Sequence, residues 1–284
     1  MVARIPFKQE REYSDQMLIS VVLNVMNEEQ NIADLLDSLV IQEGPLEIIV
    51  VDADSKDRTR DIVQTYVERY PFIKLYLRPG TRGESTNFGI SKTVGDVVAF
   101  TGGDDLANPN WLREMRKSFR EGADIVAGRS IMIGLKAWEE LDRVELQHRG
   151  YDVSFPSANE AFRREVIEEV GGFDPWFITA EDIDLNYRAV DAGYRIVYNP
   201  DAIIYRRTKS TVYGFYRQAF WNGAGRKQLT LKHGSLWSKY DPIKMFKQKM
   251  SFWALTRLIV AMLGYIGFKL TKDRGPHGER CEPT

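Results

Sequence analysis

Short apolar runs alternate with amphipathic segments along the first third of the chain. Four runs rich in β-branched residues are predicted strands, at positions 18–25, 46–53, 72–77 and 95–101. The segments between them, such as 28–42 and 56–70, repeat apolar residues at helical spacing. Regular alternation of strand and helix favours a doubly wound, mostly parallel sheet flanked by helices. The predicted fold class is therefore α/β.

The alternation weakens after a further apolar run at 123–130, and the rest of the chain is predicted to be richer in helix. The segment 135–150, "LKAWEELDRVELQHRG", is predicted helical, and a loop follows it at 151–159. The last third contains an unbroken, largely apolar stretch of 19 residues at 252–270. As a helix this stretch would be about 29 Å long, close to the thickness of a bilayer core.

The apolar stretch at 252–270 has features of a helix that lies on a membrane. Arg257 interrupts it, and lysines flank it on both sides. Interfacial attachment, with Trp253 and Tyr265 as aromatic anchors, fits this pattern better than a clean span. The alternative interpretation is a helix that closes the protein core or forms a dimer interface.

Charge divides the chain into two unequal parts. Residues 206–274 contain 15 Lys and Arg against 2 Asp and Glu, a balance of +13, whereas residues 1–205 contain 23 basic and 36 acidic residues. A basic segment of this kind suggests anionic lipid, a phosphorylated substrate or nucleic acid, although a solvated helical face is the simpler interpretation. We expect a solvated leader at 1–16, a catalytic domain at 17–205, a basic helical extension at 206–274 and a disordered tail at 275–284.

Composition excludes wholesale disorder and does not suggest an oxidising compartment. The chain has 284 residues, of which 43% are hydrophobic and 28% charged, as in a soluble globular protein. Its only cysteine, Cys281, leaves no internal disulfide to form. The N-terminus lacks the apolar core of a secretory signal, so we expect a cytoplasmic location.

Acidic residues follow two of the predicted strands at the places where those strands end. Asp52 and Asp54 come after the second strand, and Asp104 and Asp105 after the fourth. Ligands of such sheets bind beyond the carboxyl ends of the strands, and a divalent metal bound to a diphosphate would offset the repulsion between the two clusters. Each residue taken singly is more often a helix cap or a turn residue. The sequence has no P-loop and no GxGxxG motif.

A third acidic cluster opens a predicted helix in "FITAEDIDLNYR". Glu181, Asp182 and Asp184 would be held ionised by the positive end of the helix dipole, the state that a general base needs. The alternative is that they only cap the helix. Trp176, just before them, is suited to stack on an acceptor sugar, but an aromatic residue there is equally suited to the core.

The order of these motifs resembles the family 2 glycosyltransferases of the GT-A fold. The matching elements are Asn27-Glu28-Glu29, "VDADSKDRT", "RGESTNFGI", "GGDD" and "EDIDL". The resemblance runs from about position 18 to position 205. It implies an inverting transferase that uses a nucleotide-diphospho-sugar donor.

The resemblance also implies roles for individual residues. Asp182 is the expected general base, with Glu181, Asp184 and Trp176 on the acceptor side. The expected cofactor is a divalent metal, Mn²⁺ or Mg²⁺, with Asp104 as its protein ligand. The expected nucleotide-sugar-binding residues are Asn27, Glu29, Asp52, Asp54, Arg82, Gly83, Asn87, Asp104 and Arg206.

Two positions depart from the family pattern. Gly102 occupies the place of the first Asp in the usual D-x-D-D element, and Arg206 stands where the family often has a His. Arginine cannot ligate a cation but binds phosphate through two parallel hydrogen bonds. We therefore expect fewer protein ligands on the metal and more direct positive charge on the diphosphate.

These observations predict an enzyme that moves a sugar from a UDP- or GDP-sugar to a hydroxyl or phosphate acceptor, lipid-linked or part of a surface glycan. We expect it on the cytoplasmic face of an anionic membrane, without a nucleic-acid partner, either alone or as an oligomer. One alternative, a sugar-phosphate nucleotidyltransferase, normally has a Gly-rich basic loop where this chain has Asn27-Glu28-Glu29. Another is a degenerate nucleotide-sugar-binding homologue, which Gly102 favours and the intact Asp104 and Asp182 oppose.

Overall fold

The computed structural model describes residues 17–134, 143–208, 211–236 and 251–270. The predicted leader and the predicted tail lie outside these residues. The strands are β1 (Ile19–Val25), β2 (Leu46–Asp52), β3 (Ile73–Leu77), β4 (Val97–Gly102), β5 (Asp105–Ala107), β6 (Ile125–Ile133), β7 (Gln147–His148), β8 (Tyr151–Asp152), β9 (Asn159–Arg163) and β10 (Ile196–Arg207). The helices are α1 (Ile32–Val40), α2 (Thr59–Arg69), α3 (Arg82–Ser91), α4 (Trp111–Arg120), α5 (Arg164–Val170), α6 (Glu181–Asp191), α7 (Val212–His233) and α8 (Phe252–Leu270).

Eight strands form one sheet in the order β3-β2-β1-β4-β9-β6-β10-β5. The pairs β3–β2, β2–β1, β1–β4 and β6–β10 are parallel. Strand β9 is antiparallel to both of its neighbours, and β5 is antiparallel to β10. Six strands therefore point one way and two the other, which confirms the prediction of a mostly parallel sheet flanked by helices.

Side chains that alternate along the central strands build a separate core on each face of the sheet. On β1, Val21 and Leu23 belong to the core under α1, α2 and α4, whereas Val22 belongs to the core on the opposite face. On β2, Val50 and Val51 divide in the same way. Strands covered on both faces are apolar throughout, and this explains why the predicted strands read as continuous apolar runs.

The register of the strands brings their polar ends to one edge of the sheet. Asp52 at the end of β2 pairs with Val25, and Gly102 at the end of β4 pairs with Asn24. Strand β9 runs the other way, so its first residue, Asn159, lies opposite Thr101 at the same edge. The acidic clusters that follow β2 and β4 therefore lie at the same edge of the sheet, on either side of β1.

The predicted helix at 135–150 is wrong for its second half, while 135–142 lies outside the described residues. Residues 143–146 have no regular structure, and 147–148 form β7, which pairs with β8. Leu146 is fully buried and its carbonyl accepts a hydrogen bond from Val153 N at 2.9 Å. Burial of this side chain in a hairpin outweighs the local helical preference.

The helices α7 and α8 pack closely against each other. A side chain at Gly223 of α7 would collide with the carbonyl oxygen of Ala261 in α8, so the two backbones need a glycine there. Trp253 packs on the ring of Phe215, and the Tyr265 hydroxyl donates to Thr230 Oγ1 at 3.3 Å. The expected membrane anchors, Trp253 and Tyr265, are thus half-buried and contact α7.

The predicted basic extension begins inside a strand, because β10 continues through Arg207. Within the described residues, none of the helices is both long and apolar enough to cross a membrane. Lys244, Lys247 and Lys249, which precede α8 in the sequence, lie outside the described residues.

Candidate active site

The loops that follow β1 and β2 are joined by side chains expected to bind nucleotide. The backbone of Asn27 has φ 56°; its N–H donates to Ser55 Oγ at 2.9 Å and its Oδ1 accepts from Lys56 N at 2.8 Å. Glu29 Oε2 accepts from Arg58 N at 3.0 Å. In the structure, Asn27 and Glu29 therefore hold these two loops in position.

Asp52 and Asp54 lie in different environments after β2. Asp52 is fully buried; its Oδ1 accepts from Ser55 N at 2.8 Å, and its Oδ2 is buried without a hydrogen-bond partner among the described residues. A buried acceptor without a donor is costly, and a base N–H or a ribose hydroxyl is the kind of donor that would satisfy it. Asp54 is exposed, and the hydrogen bond from Lys56 lowers its pKa.

Helix α3 links the donor side of the sheet edge to the segment that leads into α6. A Cβ added at Gly83 would lie 3.2 Å from Pro175 Cα, so α3 approaches this segment closely only with glycine at that position. Asn87 exchanges two hydrogen bonds with the backbone of Phe173, at 2.7 and 2.9 Å. Gly83 and Asn87, expected at the donor, thus also fasten the two halves of the site together.

The two carboxylates of "GGDD" have different roles in the turn between β4 and β5. Asp105 is fully buried, accepts from Gly102 N at 2.8 Å and lies 3.2 Å from Arg206 Nε. Burial raises the pKa of Asp105, and the positive charge of Arg206 opposes that rise. Asp104 is half-buried, and a Cβ added at Gly102 would lie 3.1 Å from its Oδ1. Gly102 therefore keeps the space beside the Asp104 carboxylate open.

A preformed metal centre is not present in the described part of the chain, where no group of three or more His, Cys, Asp or Glu side chains is placed to hold a cation. Asp105 is paired with Arg206, and Asp104 is the other carboxylate of this turn. One carboxylate together with substrate phosphates and water is a common ligand set for Mg²⁺. The residues of this turn therefore fit a divalent cation only if substrate phosphates and water supply most of its ligands.

The carboxylate of Asp182 is held at the start of α6. Its Oδ2 accepts from Ser157 N at 3.3 Å and its Oδ1 from Ile183 N at 2.8 Å, while the side chain stays half-buried. Ala180, the N-cap residue of α6, has φ 68°, a conformation that is unfavourable for a residue with a Cβ. Such strained positions cluster at functional sites, and Asn27 and Asp54 share this feature.

Glu181 differs from the expectation that the helix start keeps its carboxylates ionised. It is almost completely buried, and its Oε1 lies 3.4 Å from Arg82 Nη1. Burial, reinforced by the neighbouring charge of Asp182, raises the pKa of Glu181 to about 7, against the effect of Arg82. The expectation is wrong for this residue because desolvation outweighs the helix dipole.

Asp184, expected on the acceptor side, is surrounded by basic side chains of α6 and α7. It is fully buried, and it contacts Arg188 Nε at 2.8 Å, Lys232 Nζ at 2.9 Å and His233 Nε2 at 2.8 Å. Burial by itself would raise the pKa of Asp184, but the hydrogen bond from His233 and the charges of Arg188 and Lys232 lower it overall. The described contacts of Asp184 therefore tie α6 to α7.

Trp176 is half-buried and partly a core residue. Its ring packs edge-to-face on Phe177 at 5.2 Å, and its carbonyl accepts from Gln228 Nε2 of α7 at 2.6 Å. Gln228 Oε1 in turn accepts from Ile178 N at 3.0 Å. Helix α7 thus supports the segment that carries Trp176 towards Asp182.

Sequence reasoning missed Glu160, a fully buried carboxyl group on β9. Its Oε1 accepts from Asn186 Nδ2 at 2.8 Å, and its Oε2 is buried without a hydrogen-bond partner among the described residues. Burial raises its pKa well above the usual value, and the charge of Asp182 adds to the shift. The only signal in the sequence was a single Glu inside the short run "ANEAF", where no strand was predicted.

Comparison with protein families gives two matches. The family described as "Glycosyl transferase family 2" matches residues 20–171, and the one described as "Glycosyl transferase family group 2" matches residues 102–269. The first match alone covers more than half of the chain.

Curated relatives are similar over varying shares of their length. "Glycosyltransferase AglE" of Haloferax volcanii is 29% identical over 65% of this chain and 65% of its own length. Dolichyl N-acetyl-alpha-D-glucosaminyl phosphate 3-beta-D-2,3-diacetamido-2,3-dideoxy-beta-D-glucuronosyltransferase of Methanococcus voltae is 24% identical over 87% of this chain and 83% of its own. The chain spans about half of several other curated relatives that it matches.

Solved structures support the fold. The mannosyltransferase PcManGT from Pyrobaculum calidifontis, in complex with GDP-Man and Mn²⁺, superimposes with a TM-score of 0.61 at 19% identity, over 91% of this chain and 76% of its own. The arrangement of helices around the sheet is that of the GT-A fold. Together with the family match over more than half of its length, this fold shows that the chain belongs to glycosyltransferase family 2.

Proposed function

We propose that the chain is an inverting glycosyltransferase that moves a sugar from a UDP- or GDP-sugar to a hydroxyl or phosphate acceptor. The observation that carries this proposal is the meeting of two sets of groups at one edge of the sheet. Asp52 and the turn at Asp104 follow β2 and β4, the two strands that flank β1, and Asp182 is held by a backbone N–H from the loop that leads into β9. Asp52 and the turn at Asp104 are suited to bind a nucleoside diphosphate, and Asp182 is suited to an acceptor.

The proposed reaction is a single displacement. Asp182 takes the proton from the acceptor hydroxyl while the acceptor oxygen forms a bond to the anomeric carbon. The bond from that carbon to the diphosphate oxygen breaks at the same time, and the nucleoside diphosphate leaves with the electron pair. Attack opposite the leaving group inverts the configuration of the sugar.

The donor side supplies positive charge to the departing diphosphate. Arg206 is fixed by Asp105 at the carboxyl end of β10, and Arg82 stands at the start of α3. A guanidinium group binds phosphate oxygens through two parallel hydrogen bonds and always carries its charge. A divalent cation bound by Asp104 and the diphosphate would neutralise further charge on the leaving group. A cation in this role agrees with the Mn²⁺ complex of PcManGT.

The proposed acceptor is lipid-linked or a growing glycan at the cytoplasmic face of a membrane. The relative from Methanococcus voltae is named for a dolichyl phosphate substrate, which is a lipid carrier. The balance of +13 over residues 206–274 suits an anionic leaflet, which attracts basic segments.

A panel of UDP- and GDP-sugars, with and without Mn²⁺, tests this proposal through thermal stabilisation and donor hydrolysis. We expect one donor to raise the melting temperature and to be hydrolysed slowly, since an active transferase leaks sugar to water. Stabilisation without hydrolysis or transfer would favour a nucleotide-sugar-binding protein. If no donor stabilises the chain, the proposed function is wrong.

A further inference from the structure

Helix α8 exposes a continuous apolar stripe. Every exposed side chain that the structure describes in this helix is apolar, with exposed fractions from 44 to 69%. We call these residues the α8 stripe: Phe252, Leu255, Leu258, Ile259, Met262, Leu263 and Ile266. Their spacing of three and four residues places them along one side of the helix. An exposed apolar patch of this extent marks an interaction surface.

Two hydroxyl groups of α8 lie on the side that faces α7. Thr256 Oγ1 accepts a hydrogen bond from the Tyr216 hydroxyl at 2.9 Å, and the Tyr265 hydroxyl bonds to Thr230. Gly264 packs so closely that a side chain there would collide with the carbonyl oxygen of Phe220. The packed side of α8 therefore carries these hydroxyl groups, while the exposed side chains that the structure describes in this helix are apolar.

Charge around the α8 stripe favours an anionic partner. Helices α7 and α8 contain no acidic residue, whereas they contain six Lys and Arg. The sequence adds Lys244, Lys247 and Lys249 before α8 and Lys272 and Arg274 after it. An apolar stripe combined with many basic residues and few acidic ones is the pattern of a helix that lies in the interface of an anionic membrane.

A second copy of the chain fits this face less well. A symmetric dimer through the α8 stripe would bring two segments of net charge +13 against each other, each with only two acidic residues against 15 basic ones. The tail at 271–284 cannot supply an apolar cover either, because "TKDRGPHGERCEPT" contains no large aliphatic or aromatic residue.

We propose that the α8 stripe inserts into the headgroup region of an anionic membrane and orients the active site towards it. Helix α8 packs on α7 at Gly223, and α7 holds the segment before Asp182 through Gln228. Docking of the stripe therefore holds the acceptor side of the site at a fixed height above the lipid surface. Membrane docking by the α8 stripe does not depend on the proposed function. The identity of the acceptor does, and docking narrows it to an acceptor that is anchored in the membrane.

Vesicle sedimentation of the full chain tests the docking surface. The probes are vesicles of phosphatidylcholine alone and vesicles with phosphatidylglycerol added. The stripe variant is Leu255→Gln/Ile259→Gln/Met262→Gln, and the matched control is Ile41→Gln/Leu77→Gln/Val94→Gln, three apolar residues of the catalytic part that are somewhat more exposed than those of the stripe. We expect wild type and control to bind phosphatidylglycerol vesicles in a salt-sensitive manner, and the stripe variant to bind at least about tenfold more weakly, because half-exposed aliphatic side chains each contribute severalfold when buried.

Three outcomes would overturn the proposal. The full chain fails to sediment with anionic vesicles, or the stripe variant binds them as wild type does. In the third, light scattering shows that the wild type is a dimer and the stripe variant a monomer, and neither binds vesicles. The α8 stripe would then be an interface between copies of the chain. Thermal stabilisation by the nucleotide-sugar is measured on the same samples. A stripe variant that binds the donor but not the vesicles has lost only membrane docking, whereas a wild-type chain that binds no donor contradicts the proposed function.

Discussion

Arg82 Nη1 lies 3.4 Å from Glu181 Oε1, so a donor-side helix and the acceptor-side helix meet through one ion pair. The carboxylate is almost completely buried while the guanidinium is largely exposed. Arg82 is therefore free to turn towards a diphosphate, and Glu181 would then lose the positive charge that opposes its raised pKa.

Glu181→Gln should stabilise the protein at alkaline pH. The pKa of Glu181 is about 7 in the folded chain, above its usual value of 4.5, so folding is penalised as pH rises from about 4.5 to 7. Removing the charge should raise the free energy of unfolding by up to about 3 kcal/mol at pH 8 and leave it unchanged near pH 4. Urea unfolding at several pH values measures this. The exposed Glu168→Gln is the control, and equal pH dependence in both variants would contradict the account.

Glu160→Gln should leave the fold intact at pH 6. Burial raises the pKa of the Glu160 carboxyl group well above its usual value and so favours its neutral form, which a neutral amide of the same shape would replace without a loss of charge. Because the raised pKa makes the wild type less stable as pH rises, the variant should become more stable relative to wild type from pH 6 to pH 9. Thermal unfolding across this range is the measurement. A large loss of stability at pH 6 would show that Glu160 is ionised.

Asp184→Asn should weaken the attachment of α7 to α6. Removing this charge leaves Arg188 and Lys232 facing a buried neutral group, a change that costs about 3–5 kcal/mol for buried pairs. Asp174→Asn is the matched control, since it also contacts Lys232 but is more exposed, and it should cost about 1 kcal/mol or less. Equal losses in the two variants would contradict this role.

The contribution of Asp184 should also depend on pH in a defined direction. Its folded pKa is lowered from 3.8, so its stabilisation is present above about pH 4 and is lost as pH falls through the folded value. The difference between wild type and Asp184→Asn should therefore shrink on acidification below pH 4. If the difference in the free energy of unfolding between the two proteins grew below pH 4, the lowered pKa of Asp184 would be contradicted.

The central strands and the edge on which the site lies could be predicted from the sequence because apolar runs and strand-end acids are local features. Strand β9 could not be predicted, because "NEAFR" alternates neither at strand nor at helix spacing and its burial depends on pairing with β4 and β6. The same limit applies to the site residues. Asp184 reads as a helix-start carboxylate, and only the packing of α7 shows that His233 and Lys232 cover it.

Metal and nucleotide should bind to the chain cooperatively. Asp104 is the carboxylate that the turn offers, so a divalent cation should bind weakly until diphosphate oxygens complete its shell. Each ligand should then raise the affinity of the other by the same factor. Calorimetric titration of Mn²⁺ with and without UDP or GDP measures the coupling. Asp104→Asn should abolish it and Asp61→Asn, on the exposed side of α2, should not; tight Mn²⁺ binding without nucleotide in both variants would place the metal elsewhere.

The most direct test of the account is the turnover of Asp182→Asn with the donor that stabilises the chain. Asp191→Asn, a substitution of an exposed carboxylate at the other end of α6, is the matched control. We expect Asp182→Asn to bind the donor as wild type does and to lower kcat by about 100-fold or more, since general-base catalysis contributes on that scale. If Asp182→Asn transfers sugar as fast as the wild type and the Asp191→Asn control do, Asp182 is not the base and the proposed mechanism is wrong.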